Sequence, residues 1–101
     1  LGGWICQVAR DEFTAGRQMV SFRPQLVVLD LIFPGGQQNR LHICHDLRTD
    51  ERFQQTKIIA IIGNNARGWV GDKFSRGMVD DYLIKPVTGK ELKQKIVSLQ
   101  W

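Results

Sequence analysis

A carboxylate and an amine each follow directly on a buried segment of the sequence. Asp30 ends the aliphatic run Leu26–Leu29, and Lys85 follows the run Tyr82–Ile84. Continuous apolar runs of this length are typical of strands buried on both faces of a parallel sheet. The carboxyl ends of such strands meet at one edge, where open α/β sheets place their ligands. We therefore predict that Asp30 and Lys85 lie close together.

This pair suggests a definite chemistry. The ammonium group of Lys85 can hold the carboxylate of Asp30 ionised, and it can neutralise negative charge added to that carboxylate, for example by a phosphoryl group. The alternative is a purely structural ion pair at the end of two strands. Spacing along the sequence alone leaves both interpretations open.

Strands and helices alternate along the rest of the chain. Apolar runs predict strands at Trp4–Val8, Leu26–Leu29, Ile58–Ile62 and Tyr82–Ile84, and helical spacing predicts helices at about Glu12–Phe22, Leu41–Arg48 and Trp69–Arg76 and after Thr88. Asp11 is a predicted N-cap, and Thr88 with Glu91 forms the pattern of a capping box. The alternation predicts a parallel sheet with helices on both faces.

Size and composition narrow the class of protein. The 101 residues, 43% of them hydrophobic, predict one globular domain over residues 1–101. The apolar runs are too short to cross a bilayer, and no secretory signal opens the chain, so we expect a cytoplasmic protein with reduced thiols. The net charge of +4 comes from scattered basic residues. No helix-turn-helix pattern is present, so direct binding to nucleic acid is not expected.

Three segments, taken in order, resemble the receiver domain of two-component response regulators. They are VVLDLIFPGG at 27–36, IIAIIG at 58–63 and DDYLIKP at 80–86. The family's aspartate, with a proline four residues later, matches Asp30 and Pro34. Its Lys-Pro pair matches Lys85 and Pro86, and its aromatic switch position matches Tyr82. The resemblance covers essentially the whole chain and implies a CheY-like, flavodoxin-like α/β fold.

The resemblance also implies a role. In this family the aspartate, here Asp30, takes a phosphoryl group from a sensor histidine kinase or a phosphotransfer protein, and the lysine, here Lys85, contacts the phosphoryl oxygens. A Mg²⁺ ion shields the charge; here Asp30 and the backbone carbonyl of Ile32 would hold it. Such a domain is a signalling module rather than an enzyme. It acts on a fused or separate output domain, and homodimer formation stays open.

Two departures from the family pattern favour a second hypothesis. The family's acidic pair, which completes the Mg²⁺ site, would precede Leu1, and one carboxylate is a poor site for an ion that prefers six oxygen ligands. The family's switch hydroxyl falls on Ile62, which offers no donor to a phosphoryl oxygen. The chain could therefore be a pseudo-receiver, a protein interaction or dimerisation domain that works without phosphorylation.

The resemblance leaves one strand unaccounted for. The family's first strand lies between the strands that correspond to Trp4–Val8 and Leu26–Leu29, and it would also precede Leu1. That strand could belong to a longer parent protein, or a second copy could supply a strand by swapping. We expect an N-terminally truncated fold of about four strands, in which the two neighbours close the gap, or a dimeric variant.

Two further clusters of polar residues stand out in the sequence, one on the second predicted helix and one before the last predicted strand. His42, Cys44 and His45 lie on the predicted second helix, where an i, i+3 histidine pair can hold a metal ion. No second pair of ligands is spaced to complete that site, so an ordinary surface helix is favoured. Asp80 and Asp81 precede the last predicted strand, and we interpret them as a turn at the end of the sheet opposite Asp30.

Overall fold

A parallel sheet and the helices that pack on it make up the described part of the chain. The structure is a computed structural model, and it describes residues 4–9, 11–30, 41–63, 77 and 79–99. The predictions for Ile32, for Pro34 and for the helix Trp69–Arg76 fall outside these residues.

Three strands form the sheet, in the order β1-β2-β3. They are β1 (Leu26–Asp30), β2 (Lys57–Ile62) and β3 (Asp81–Ile84), and both pairings are parallel. The central strand β2 is apolar on both faces: Ile58, Ile59, Ala60 and Ile62 are all 0% exposed. This burial explains its continuous hydrophobic sequence.

The predicted strand at Trp4–Val8 is wrong, and the described sheet therefore has three strands rather than about four. These residues have no regular secondary structure, and the side chains of Ile5 and Val8 are 84% and 75% exposed. An apolar segment becomes a strand only when a neighbouring strand receives its backbone hydrogen bonds. Among the described residues β1 pairs with β2 alone, so the gap does not close in the predicted way.

Helices flank the strands in the predicted order. They are α1 (Glu12–Phe22), α2 (Leu41–Thr49) and α3 (Gly89–Ser98), and a short 3₁₀ turn at Glu51–Phe53 follows α2. In the described parts of the chain, no helix is both long and apolar enough to cross a membrane.

Both predicted N-caps are confirmed. The Oδ1 atom of Asp11 accepts a hydrogen bond from the backbone N–H of Thr14 at 2.7 Å. The hydroxyl oxygen of Thr88 accepts from the N–H of Glu91 at 3.1 Å. The carboxylate of Glu91 accepts a hydrogen bond from the hydroxyl group of Thr88 at 3.1 Å. This last contact replaces the contact to the backbone that a capping box usually makes.

The two faces of the sheet carry separate hydrophobic clusters. Residues Leu29, Ile58, Ala60 and Ile62 of the strands pack with Cys44, Leu47, Phe53 and Val79 on one face. Ile59 and Leu83 pack with Ile96 of α3 on the other face, flanked by Leu26, Val87, Leu92 and Leu99. The fold is therefore an α/β sheet covered by α2 on one face and by α3 on the other, as the pattern predicts.

Neighbouring residues of α3 test this arrangement. Ile96 is 4% exposed, whereas Val97 is 67% exposed. Ile96→Ala leaves a cavity against the sheet and should lower the free energy of unfolding by about 2–5 kcal/mol. Val97→Ala should change it by less than about 0.5 kcal/mol. Urea unfolding followed by circular dichroism measures both, and equal losses in the two variants would contradict the described packing of α3.

Candidate functional site

The structure brings Asp30 and Lys85 together at the carboxyl edge of the sheet. The Nζ atom of Lys85 lies 3.0 Å from Oδ1 of Asp30. Asp30 is the last residue of β1, and Lys85 directly follows β3. Since β2 lies between those strands and neighbouring strands are about 4.8 Å apart, the lysine side chain must reach across the end of the central strand.

Backbone contacts to β2 hold both residues in place. Asp30 stands beside Ile61 in the register of β1 with β2. The N–H of Lys85 donates a hydrogen bond to the carbonyl oxygen of Ile62 at 2.8 Å. Both ends of the ion pair are thus fixed relative to one strand, although their own strands do not touch.

The carboxylate of Asp30 has one covered side and one open side. Its Oδ1 atom has less than 1 Å² of accessible surface, yet the side chain as a whole is 43% exposed. The exposed surface therefore belongs to the other side-chain atoms, which include Oδ2. The side chain of Asp30 is therefore partly accessible to solvent while Lys85 lies beside it.

The ion pair contributes little to the stability of the fold. The side chain of Lys85 is 49% exposed, and ion pairs between such solvated groups contribute only about 0–1 kcal/mol. Variants of Lys85 or Asp30 should therefore fold, so they can serve as probes of the site.

Ile62 and Tyr82 belong to the hydrophobic cluster under the site. Ile62 ends β2 and is 0% exposed, so the position at which the family resemblance predicts a switch hydroxyl holds a buried hydrocarbon. Tyr82 is partly buried against the same cluster and stands beside Ala60 in the register of β3 with β2.

The described residues do not fit a Mg²⁺ site. No group of three or more His, Cys, Asp or Glu side chains gathers anywhere in the part of the chain that the structure describes. Asp30 is the carboxylate described at this edge, and its Oδ1 atom already faces Lys85. An ion that prefers six oxygen ligands is not satisfied by this donor set.

Of the predicted cluster on α2, the structure describes the side chains of Cys44 and His45, and these two do not converge on a metal ion. Cys44 is 0% exposed and packs in the core, whereas the side chain of His45 is 68% exposed and lies 3.9 Å from Asp46. Because the side chain of Cys44 points into the protein and that of His45 into solvent, the two cannot bind the same metal ion.

Sequence reasoning missed a hydrogen-bonded cluster at the opposite edge of the sheet. Asp80 lies in a bend before β3, as the predicted turn requires, and its carboxylate accepts a hydrogen bond from the guanidinium group of Arg48 at 2.7 Å. The predicted turn is wrong for Asp81, which belongs to β3. Asp81 opens β3 and lies 3.1 Å from Nζ of Lys95. The predicted position of this acidic pair, at the end opposite Asp30, is correct. Arg48 and Asp80 are separated by 32 residues, and no local sequence signal links them.

Comparisons with known proteins agree with this geometry. No protein-family model matches the chain. A curated relative, the DNA-binding dual master transcriptional regulator RpaA of Synechocystis sp., is 32% identical over 98% of this chain. The chain spans 40% of that relative's length. The crystal structure of a response regulator signal receiver domain from Bermanella marisrubri matches with a TM-score of 0.77 and 29% identity, over 95% of this chain and 77% of that chain.

The two cysteines give a direct test of the burial of α2. Burial raises the pKa of the Cys44 thiol to about 11, so almost no thiolate forms there at neutral pH. Cys6 is exposed. Iodoacetamide should therefore label Cys6 in the folded protein and label Cys44 only after unfolding, as peptide mass spectrometry would show. Equally fast labelling of both thiols would contradict the described position of α2, and Cys6→Ser is the control.

Proposed function

The chain belongs to the receiver domains of response regulators, and on that premise we propose that Asp30 accepts a phosphoryl group in a two-component phosphorelay. One observation supports this proposal above all: Nζ of Lys85 lies 3.0 Å from Oδ1 of a carboxylate that is open to solvent. The pair stands at the carboxyl edge of a parallel sheet, where such folds hold their ligands.

The proposed step is a phosphoryl transfer between a nitrogen atom and an oxygen atom. An oxygen of Asp30 attacks the phosphorus of a phosphohistidine, the P–N bond breaks, and an acyl phosphate forms. The imidazole leaves with the electron pair of that bond. The transition state carries its charge on the phosphoryl oxygens, so a nearby fixed cation stabilises it. Lys85 is that cation, and it needs to move only from the carboxylate oxygen to a phosphoryl oxygen.

Lys85 also offsets the negative charge that the phosphoryl group adds to Asp30. The carboxylate of Asp30 carries one negative charge, and the acyl phosphate carries about two at neutral pH. An ammonium group within hydrogen-bond distance offsets part of that increase. The carbonyl of Ile32 is the second donor to Mg²⁺ that the family resemblance implies, and the described side chains do not complete a site.

The donor of the phosphoryl group is proposed to be a sensor histidine kinase or a phosphotransfer protein. The output is proposed to lie in a fused or separate domain, because the chain spans only 40% of RpaA, whose name describes a DNA-binding transcriptional regulator. We do not extend DNA binding to residues 1–101. Homodimer formation is a further proposal that the oligomeric state of the chain would test.

A second function is favoured by Ile62. This residue ends β2 with a fully buried hydrocarbon side chain, so it cannot donate to a phosphoryl oxygen. Loss of one preorganised donor costs on the order of 10²-fold in comparable sites. A receiver domain with such a site could serve as a pseudo-receiver, binding partners or a second copy without accepting phosphate.

The proposal predicts an adduct that depends on Asp30. Incubation with acetyl phosphate should add one phosphoryl group to the wild-type chain and none to Asp30→Asn, as intact-mass spectrometry would show. Lys85→Met should slow the reaction on the order of 10²-fold, because it removes the fixed cation. Lys93→Met removes an exposed lysine of α3 and should react like the wild type. Each reaction is run with and without Mg²⁺.

Beryllofluoride separates the two functions. Binding with NMR shifts at Asp30 and Lys85 supports the phosphoryl acceptor even where the covalent adduct is short-lived. A wild-type chain that gives neither an adduct nor a shift, with or without Mg²⁺, would overturn the phosphoryl-acceptor proposal and leave the pseudo-receiver.

A further inference from the structure

Arg48, at the end of α2, connects three segments at the amino edge of the sheet. Its Nη1 atom donates to the carbonyl oxygen of Thr56 at 2.8 Å, and its Nη2 atom donates to the Oδ2 atom of Asp80 at 2.7 Å. Its Nε atom donates to the carbonyl oxygen of Gly77 at 3.1 Å. One rigid guanidinium group thus links the residue before β2 with the chain that enters β3.

Asp80 extends the pairing of β2 with β3 by one residue. Its own N–H donates to the carbonyl oxygen of Ile58 at 2.8 Å, and its Oδ2 atom accepts from the N–H of Ile58 at 2.7 Å. The side chain thereby takes the place of a strand carbonyl at a point where β3 has not yet begun. These reciprocal bonds fix which residue of β3 stands beside which residue of β2.

Thr56 continues the same network to β1. Its hydroxyl group donates to the carbonyl oxygen of Pro24 at 3.2 Å, and the N–H of Lys57 donates to the carbonyl oxygen of Gln25 at 2.9 Å. We call the linked residues Arg48, Thr56 and Asp80 the amino-edge network. Together they tie the starts of all three strands, and Thr56 is only 5% exposed.

The strands need such a network because their hydrophobic pattern specifies the register weakly. In β2, Ile58 and Ile59 are adjacent, and so are Ile61 and Ile62, so a slip of one residue would often exchange one isoleucine for another. The run Leu26–Leu29 in β1 is apolar on both faces as well. Register is strongly specified only where the two faces of a strand differ. Directed polar contacts supply what the apolar side chains do not.

Register determines whether Lys85 can reach Asp30. A slip of β3 by one residue would move Lys85 by about 3.3 Å and turn its side chain to the other face of the sheet. The 3.0 Å ion pair between Nζ and Oδ1 would not survive that change. The two edges of the sheet are therefore coupled through the strands.

We propose that Arg48 and Asp80 are positioning residues for the Asp30–Lys85 site, acting through the register of β2 with β3. The observation that carries the proposal is the shared Oδ2 atom of Asp80, which accepts from both Arg48 and the N–H of Ile58. The inference rests on the proposed phosphoryl acceptor only where it predicts a change in the rate of phosphorylation. Its spectroscopic readout is independent of that function.

The test compares variants that keep the charge or the shape of the residue they replace. Arg48→Lys retains the positive charge and loses the planar fork, and Asp80→Asn retains an acceptor and loses the charge. Asp80→Glu is a milder variant that retains the charge and displaces the shared acceptor from the N–H of Ile58. The matched control is Lys95→Met, because it breaks the other ion pair at the start of β3, to Asp81, and leaves the amino-edge network intact.

Three measurements are made on each variant that circular dichroism shows to be folded. The first is the NMR signal of the Lys85 ammonium group. The second is the hydrogen exchange of the Lys85 amide, which donates to the carbonyl oxygen of Ile62. The third is the rate of phosphorylation by acetyl phosphate. Arg48→Lys and Asp80→Asn should shift the Lys85 signal, speed its amide exchange and slow phosphorylation by about 10- to 100-fold, since small misplacements cost that much. Lys95→Met should change none of these.

The outcomes separate the two proposals. Variants that fold with an unchanged Lys85 signal and a wild-type rate would overturn the positioning role and leave the phosphoryl acceptor standing. If the wild type itself accepts no phosphate, the Lys85 signal alone decides the positioning role. If Arg48→Lys and Asp80→Asn do not fold, Asp80→Glu decides it: an unchanged Lys85 signal there contradicts the proposal, and a shifted signal supports it.

Discussion

The register of three parallel strands around β2 is the constraint on which the rest of this structure depends. β2 is buried on both faces, and in the described sheet each of its edges pairs with one neighbour, so the backbone pairing that aligns β1 with β3 runs through β2. Asp30 and Lys85 lie 3.0 Å apart because both stand at the carboxyl end of β2, Asp30 beside Ile61 and Lys85 one residue beyond the pair of Ile62 with Ile84. At the other edge, the contacts of Arg48, Thr56 and Asp80 hold the strands in the alignment that makes this meeting possible.

The two polar clusters differ in exposure, and this difference matches their roles. The side chains of Arg48 and Asp80 are 21% and 27% exposed and make several directed hydrogen bonds, as expected of a contact that fixes structure. The side chains of Lys85 and Asp30 are 49% and 43% exposed, so their attraction is weakened by solvent and contributes little to folding. Because this ion pair is weak and accessible while the strands that carry it are held in place, Lys85 can exchange the carboxylate oxygen of Asp30 for a phosphoryl oxygen.

Much of the fold could be predicted from the sequence because the responsible signals are local. The apolar run Ile58–Ile62 and the caps at Asp11 and Thr88 depend on neighbouring residues, and the structure confirms them. Trp4–Val8 was predicted as a strand on composition, but a strand needs a partner, and composition does not show whether one is present. The Arg48–Asp80 pair could not be predicted, since its partners meet only after the sheet has formed. Asp30 and Lys85 could be predicted to meet because parallel topology alone brings their strand ends together.

A crystal structure of the chain grown with beryllofluoride tests whether Asp30 accepts a phosphoryl group beside Lys85. We expect beryllium bound to an oxygen of Asp30, with a beryllium-bound fluoride within hydrogen-bond distance of Nζ of Lys85. The lysine would then have moved from the carboxylate to the added group. A structure in which Asp30 stays unmodified and Lys85 keeps its contact to Oδ1, at saturating beryllofluoride, would contradict phosphoryl transfer to Asp30.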